Sequence, residues 1–297
     1  MTTRVKEDKS ILERSFIIGI YAFVALFALL CIVPFWLVVI NSFAAESAIK
    51  IHGMQLFPKE FSLYAYEYTM AGKQIMSSYM VTITVTVAGT CLALLITSMY
   101  AYVLAHPKVK YRRILSFMTY FTMVFGAGLV GFYILIASTL GLKDTIWALI
   151  LPYLLNPFFA FIMVSFFRTL PYEINEAATI DGANDLSIFF RIILPISKPV
   201  IATVGLFYAL QYWNDYFLAL LFIDNHNLHP LQIMIRQIIS NVNISSYVGG
   251  STNYAQAVPT YGVQLATVCL TIGPIIFLYP FIQKFFVKGI TIGALKG

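Results

Sequence analysis

Long apolar runs, almost free of charge, alternate along this chain with shorter basic, polar or proline-bearing stretches. A helix needs about 20 mostly apolar residues to cross a hydrocarbon core of ~30 Å. Six segments meet that test: 16–43, 76–105, 114–139, 145–167, 199–223 and 258–282. Pro34, Pro152, Pro157 and Pro274 fall inside them. In a bilayer such breaks are tolerated where neighbouring helices satisfy the freed carbonyls. The pattern predicts an all-α, polytopic membrane protein.

Composition agrees. Hydrophobic residues make up 60% of the 297 and charged residues 11%, against about a quarter charged in a soluble domain. Water could not solvate so much apolar surface, so a lipid bilayer must. The N-terminus carries Arg4, Lys6, Lys9 and Arg14, followed by an uncharged stretch from Ser15 to Ala45. That stretch is far longer than the roughly 7–15 apolar residues of a cleaved signal peptide, so it reads as a retained anchor. Cys31, Cys91 and Cys269 all lie in apolar runs and provide neither a disulfide framework nor metal-ligand spacing.

Charge adds an orientation. With six spans both termini share one side, and 14 of the 19 basic residues fall on that side, against 5 on the other. By the positive-inside rule both termini are cytoplasmic. The net charge of +6 reflects this bias and not nucleic-acid binding. The chain then divides into a cytoplasmic N-terminus (1–15), a membrane domain (16–285) and a cytoplasmic tail (286–297). Three connecting segments are too long to be simple links. Two, at 44–75 and 224–257, are external, and the second contains the polar stretch from Asn241 to Asn253. The third, 168–198, is cytoplasmic.

That cytoplasmic segment reads as helix, turn, helix. Pro171 suits a first helical position, and Glu173 and Glu176 suit the positive end of the helix dipole. Gly182 permits a backbone turn that a side chain would obstruct. Asn184 or Asp185 can cap the second helix, and Pro195 ends or bends it. Ile188, Phe189, Ile192 and Ile193 share one stripe at helical spacing.

Glu176-Ala177-Ala178, then Gly182, then Ile192, Leu194 and Pro195 at their observed spacing, resembles the EAA loop of bacterial binding-protein-dependent ABC importer permeases. Other stretches resemble the carbohydrate-type permeases: Phe125–Leu135, Leu140–Pro152, Phe167–Pro171 and Trp213-Asn-Asp-Tyr-Phe217. The tail from Phe286 to Gly297 is similar to the ending of maltose-permease-like subunits. The long second external segment and Tyr279–Lys284 resemble a subgroup importing complex oligosaccharides. The chain departs from that subgroup at Gly131, where proline is common, and at Gln264, where lysine is frequent.

The resemblance implies a type I ABC importer permease fold. It implies a second homologous permease as partner, two copies of a cytoplasmic ABC ATPase, an extracellular solute-binding protein and an oligosaccharide substrate. Glu176, Ala177, Ala178, Asp181, Gly182, Ile192, Leu194 and Pro195 would couple the spans to the ATPases. Tail residues Gly289, Thr291 and Gly293 would insert between the ATPases. ATP and Mg would be held by those partners and no cofactor by this chain.

For substrate, Tyr208, Gln211, Tyr212, Trp213, Asn214 and Asp215 form the candidate group, with Tyr133 and Asn156 as weaker ones. Aromatic faces stack on sugar C–H surfaces, while amides and carboxylates take hydroxyls. Asp215 is also the ionisable residue within the runs, a functional signal by default, although tyrosine and tryptophan populate interfacial belts as well. His226 and His229 have HxxH spacing but no third ligand. No GxxxxGK[ST] phosphate loop and no nucleophile–base or paired-carboxylate constellation occurs, so the chain reads as a non-enzyme. A membrane-embedded enzyme would need acids or histidines in several spans. A secondary carrier, the alternative alongside a permease for a non-sugar solute, would show paired broken helices around a midplane ion site.

Overall fold

The computed structural model describes residues 11–71, 73–126, 128–248 and 261–273. Among these, every regular element is a helix, and one isolated bridge joins Ala44 and Phe61. The chain divides into two compact units, 1–69 with 245–270, and 70–244 with 271–297.

In the first unit, α1 (Ile11–Ser42) contains the 28 apolar residues Ser15–Ser42, about 42 Å of helix. Its side chains from Phe16 to Val33 are largely exposed, as a helix surrounded by lipid requires. Two short helices follow, α2 (Glu46–His52) and α3 (Tyr64–Ala71). The segment read as a loop is thus folded, and side-chain hydrogen bonds hold it. Buried Asn41 donates to the carbonyls of Leu37 and Gln55 at 2.8 and 2.7 Å and accepts from the Gln55 amide at 3.0 Å. Glu46 accepts from the amides of Tyr261 and Gly262 at the start of α15 (Tyr261–Gly273), where free amides and the helix dipole favour a carboxylate.

The second unit is built on α4 (Lys73–Ala105), about 50 Å long. It packs chiefly against α12 (Lys198–Asn214) and α8 (Pro157–Phe167). Glycine decides how closely α4 and α12 approach. A Cβ on Gly89 would sit 2.7 Å from the Tyr212 ring, and one on Gly205 would sit 3.0 Å from Leu94. Small residues at such crossings let helices meet where no hydrophobic drive brings them together.

The other predicted spans are interrupted. α5 (Arg112–Val124) and α6 (Gly128–Tyr133), with a π turn at Ile134–Thr139, share one apolar run. α7 (Ile146–Ile150) passes through a 3₁₀ turn at Leu151–Tyr153 into α8 with a 46° bend. Pro152 and Pro157 cause this break, since neither can donate to the helix ladder. Three neighbouring side chains satisfy the backbone it frees. Tyr212 Oη donates to the Ile150 carbonyl at 2.9 Å, Thr97 Oγ1 donates to the Leu154 carbonyl at 3.3 Å, and the Asn156 amide donates to Tyr208 Oη at 2.9 Å. Asn156 then caps α8 by accepting from the amides of Phe158 and Phe159.

The segment 224–257 also differs from the loop expected there. After a 3₁₀ turn at His226–Leu228, α14 runs over Leu231–Val248. Leu231, Ile233, Met234 and Ile235 are buried, and neither glycine nor proline interrupts the helix before Gly249. Tertiary burial overrides the polar composition of its second half. The remainder of that segment, 249–257, and both ends of the sixth run, 258–260 and 274–282, lie outside the described residues.

Replacing Tyr208 by Phe strands the Asn156 amide and removes the contact with Thr97 Oγ1, which lies 2.6 Å from the tyrosine hydroxyl and keeps its bond to the Leu154 carbonyl. We expect a loss of about 1–2 kcal/mol in denaturant unfolding of the detergent-solubilised protein. Tyr212→Phe, which strands one carbonyl, should cost less.

Candidate functional site

The segment 168–198 forms a helical hairpin. α9 (Glu173–Ile180) ends in a Schellman closure, with Ala183 N donating to Ala178 O and Gly182 N to Thr179 O, both at 3.0 Å. Gly182 has φ +81°, the left-handed conformation that glycine adopts without penalty. Asn184, not Asp185, caps α10 (Asp185–Ile188) by accepting from the Ser187 amide at 2.8 Å. A π turn at Phe189–Ile193 follows, in which Leu194 N donates to Phe189 O, and α11 (Leu194–Ile196) carries Pro195. The chain then bends 85° into α12. Proline cannot donate in the ladder, and here it is carried through the π turn; the bend itself comes at Ser197.

The hairpin has two unlike faces. Inward, Ala178, Ile188, Phe189 and Ile193 join the core, with Ile192 and Leu194 half-buried against it. Outward, Glu176, Ala177, Ile180, Asp181, Gly182, Asp185, Leu186 and Pro195 are exposed. Ile180 is 86% exposed and Leu186 58%, so two large apolar side chains project beside acidic groups. Of the alanine pair, only Ala177 faces outward.

Three residues near the end of α4 fasten this hairpin. Tyr102 Oη donates to Asn175 Oδ1 on α9 at 2.9 Å, while its ring lies 5.4 Å from that of Phe189. One side chain therefore holds both arms. His106 meets the Tyr172 ring edge-on at 5.5 Å. Lys108 Nζ lies 5.4 Å from the centre of that ring and 4.0 Å from Glu176. The Tyr172 hydroxyl, and then Glu176, hold the Lys108 ammonium above its ordinary pKa.

The substrate candidates separate by environment. Tyr208 and Tyr212 are buried and committed to the backbone bonds described above. Asp215 accepts from Tyr153 Oη at 2.8 Å and from the Leu218 amide at 3.2 Å, which caps α13 (Phe217–Phe222). Asn156 is a cap, and Tyr133 stacks on Phe222 at 5.6 Å. Gln211 Oε1 and Trp213 Nε1 are buried without a hydrogen-bond partner among the described residues. Asn214 is exposed; its Nδ2 bonds the Leu210 carbonyl and its Oδ1 accepts weakly from Gln232 at 3.5 Å. Thr86 Oγ1 and Thr90 Oγ1 on α4 are likewise unpartnered, and sequence reasoning missed them because threonine is ordinary in an apolar helix. Gly289, Thr291 and Gly293 lie outside the described residues.

At the N-terminal end of α4 a second set of contacts closes the unit. Asp144, at φ +56°, accepts from the amides of Asp224 and Asn225 at 2.6 and 2.9 Å, and Lys143 pairs with Asp224 at 2.7 Å. Gln74 donates to the His226 carbonyl and Ser77 to that of Asn227. His229 is buried with Nε2 3.2 Å from the Ile223 carbonyl, its ring edge-on to His226. The histidine pair serves this turn.

Residues 93–292 match a family described as binding-protein-dependent transport system inner membrane component. The chain belongs to that family. It is 42% identical over 266 residues to protein LplC of Bacillus subtilis, covering 90% of each chain. It is 39% identical over 288 residues to the polygalacturonan/rhamnogalacturonan transport system permease protein YtcP of the same organism, covering 96% of this chain and 99% of that one. Its fold matches a chain of a bacterial ABC transporter involved in import of the acidic polysaccharide alginate, with TM-score 0.85 and 29% identity over 96% of this chain and all of the other. The protein is thus a permease subunit of an ABC importer, a membrane-embedded transport component and not an enzyme, with the type I importer permease fold. Such a permease works with a solute-binding protein and an ATPase.

Two outcomes follow from the geometry. Tyr102→Phe should loosen the hairpin, read as faster amide hydrogen exchange in α9, because that arm loses its bond to α4; unchanged exchange would remove Tyr102 from fastening it. The amides of Asn225 and Asp224 hold the Asp144 carboxyl below its ordinary pKa. A lowered pKa contributes stability above the unfolded value that is lost as pH falls through the folded one. Hydrogen exchange at those two amides should therefore accelerate only below the usual carboxylate range, and Asp144→Ala should show fast exchange at neutral pH.

Proposed function

We propose that this permease forms half of a heterodimeric pathway for oligosaccharides, driven through its hairpin by two copies of a cytoplasmic ATPase. The observation that carries the reading is the division of the hairpin into an outward apolar–acidic face and an inward face fused to the core. Ile180 and Leu186 suit an apolar cleft, and Glu176, Asp181 and Asp185 suit basic groups at its rim. Gly182 sets the turn that presents them. ATP and Mg belong to the ATPase partners. A push on the hairpin reaches α4 through Tyr102 and His106, and reaches α12 through Ile192, Leu194 and Pro195 at the 85° bend. α4 and α12 are tightly packed at Gly89 and Gly205, so they would move as one body.

The charge bias supports cytoplasmic termini, with the tail residues Gly289, Thr291 and Gly293 touching the ATPases. An extracellular solute-binding protein delivers the sugar on the opposite side. The names of the relatives support an oligosaccharide, and an acidic one is in keeping with both polygalacturonan and alginate. Gln211, Trp213 and Asn214 are the best candidates for sugar contact, since Tyr208, Tyr212 and Asp215 already serve the fold. A sugar or the second permease would supply the partners that Gln211 and Trp213 lack in this chain.

Cysteine placed at Ile180 should crosslink to an ATPase subunit in native membranes, and its failure to do so under conditions that trap other subunit contacts would defeat the coupling assignment. Gly182→Val forces a β-branched residue into the left-handed region, a strain of about 1–2 kcal/mol. Uptake should be lost while membrane insertion and assembly of the spans persist.

A further inference from the structure

A charged concavity lies outside the surface proposed for coupling. Arg112 and Arg113 in the first turn of α5, and Arg168 at the end of α8, line a shallow cavity of about 440 Å³ together with Ser116. Among the described residues no carboxylate pairs with any of the three guanidinium groups. Like charges gathered around one hollow repel each other. The first turn of α5 adds to the positive potential, because the dipole and the free amides point there. It holds no acidic residue, and no side chain caps it.

The bias of basic residues toward one membrane side explains why arginines occur near a span end. It does not explain why three of them pool on a single concave surface without a counter-charge. Guanidinium forks match phosphate oxygens in paired hydrogen bonds. On the face of α5 that carries Arg113, Phe117, Tyr120 and Val124 follow at spacings of four, three and four residues, and all three are exposed. An apolar stripe continuous with an arginine pocket is the surface a phospholipid would cover, with its chains on the stripe and its phosphate in the hollow.

We propose that Arg112, Arg113 and Arg168 form a binding site for a phosphate-bearing anion, supplied by the headgroup of an anionic phospholipid whose acyl chains lie along α5. Basic pockets between spans take such headgroups by charge and shape. The site is separate from the hairpin's outward face and does not depend on which solute is carried.

The test uses the intact importer reconstituted with phosphatidylcholine alone or with added phosphatidylglycerol. Native mass spectrometry should show phosphatidylglycerol retained on the wild-type complex, with binding at least about tenfold weaker in the combined Arg112→Gln, Arg113→Gln and Arg168→Gln variant. The corresponding triple lysine variant should recover only part of it, since a point charge replaces the fork. A second measurement on the unmodified protein guards against a misassembled variant. Phosphatidylglycerol should protect these three arginines from an arginine-modifying reagent, and phosphatidylcholine should not. Equal retention by wild type and the glutamine variant, or no protection, overturns the site. Equal protection by millimolar inorganic phosphate in phosphatidylcholine overturns the lipid source and assigns the pocket to free phosphate. Protection that requires only the ATPase subunits overturns the proposal in favour of an acidic protein surface.

Discussion

In a bilayer a backbone amide or carbonyl freed from its helix must find a partner within the protein, since lipid offers none. That constraint organises the larger unit of this permease. The prolines that break α7 from α8 free the Ile150 and Leu154 carbonyls and the Asn156 amide, and Thr97, Tyr208 and Tyr212 take them up. These side chains come from α4 and α12, the two helices that also meet through Gly89 and Gly205. A bend that would be a defect in isolation is therefore the joint where three helices are locked.

The same helices lead to the hairpin. Tyr102 and His106 sit at the far end of α4, and α12 begins directly after the 85° bend that closes the hairpin. Ala178, Ile188, Phe189 and Ile193 belong to the same apolar core as Val204, Tyr208 and Tyr212. No flexible linker separates the hairpin's exposed face from α4 and α12. The coupling proposed above would then need only the displacement of one packed body.

Much of this was legible residue by residue. The apolar runs marked the spans because the bilayer thickness imposes a length on any helix that crosses it. Gly182 marked a turn, and Asn184 or Asp185 a cap, since each residue type has few backbone roles; the cap that Asn156 makes was not read. The aromatic and acidic group at 208–215 was less readable. Its composition suits sugar contact and interfacial anchoring alike, and the fold instead spends Tyr208, Tyr212 and Asp215 on backbone bonds. The segment around α14 was misread because polar residues after Arg236 resemble a loop, whereas burial of Leu231, Ile233 and Ile235 draws it into a helix.

By itself, then, the amino-acid order determined the lipid-spanning class and the helical hairpin, which rest on hydropathy and turn chemistry along the chain, and its resemblance to known permeases pointed to the family. Only the tertiary structure decided which polar side chains are free to meet a ligand or partner and which are consumed in holding the helices together. The reason is separation along the chain. Thr97 and Tyr208 share a hydrogen bond across 111 residues, and Arg168 shares a cavity with Arg112 and Arg113 across a span boundary. Such pairings are set by how the helices cross, a quantity that no local pattern records.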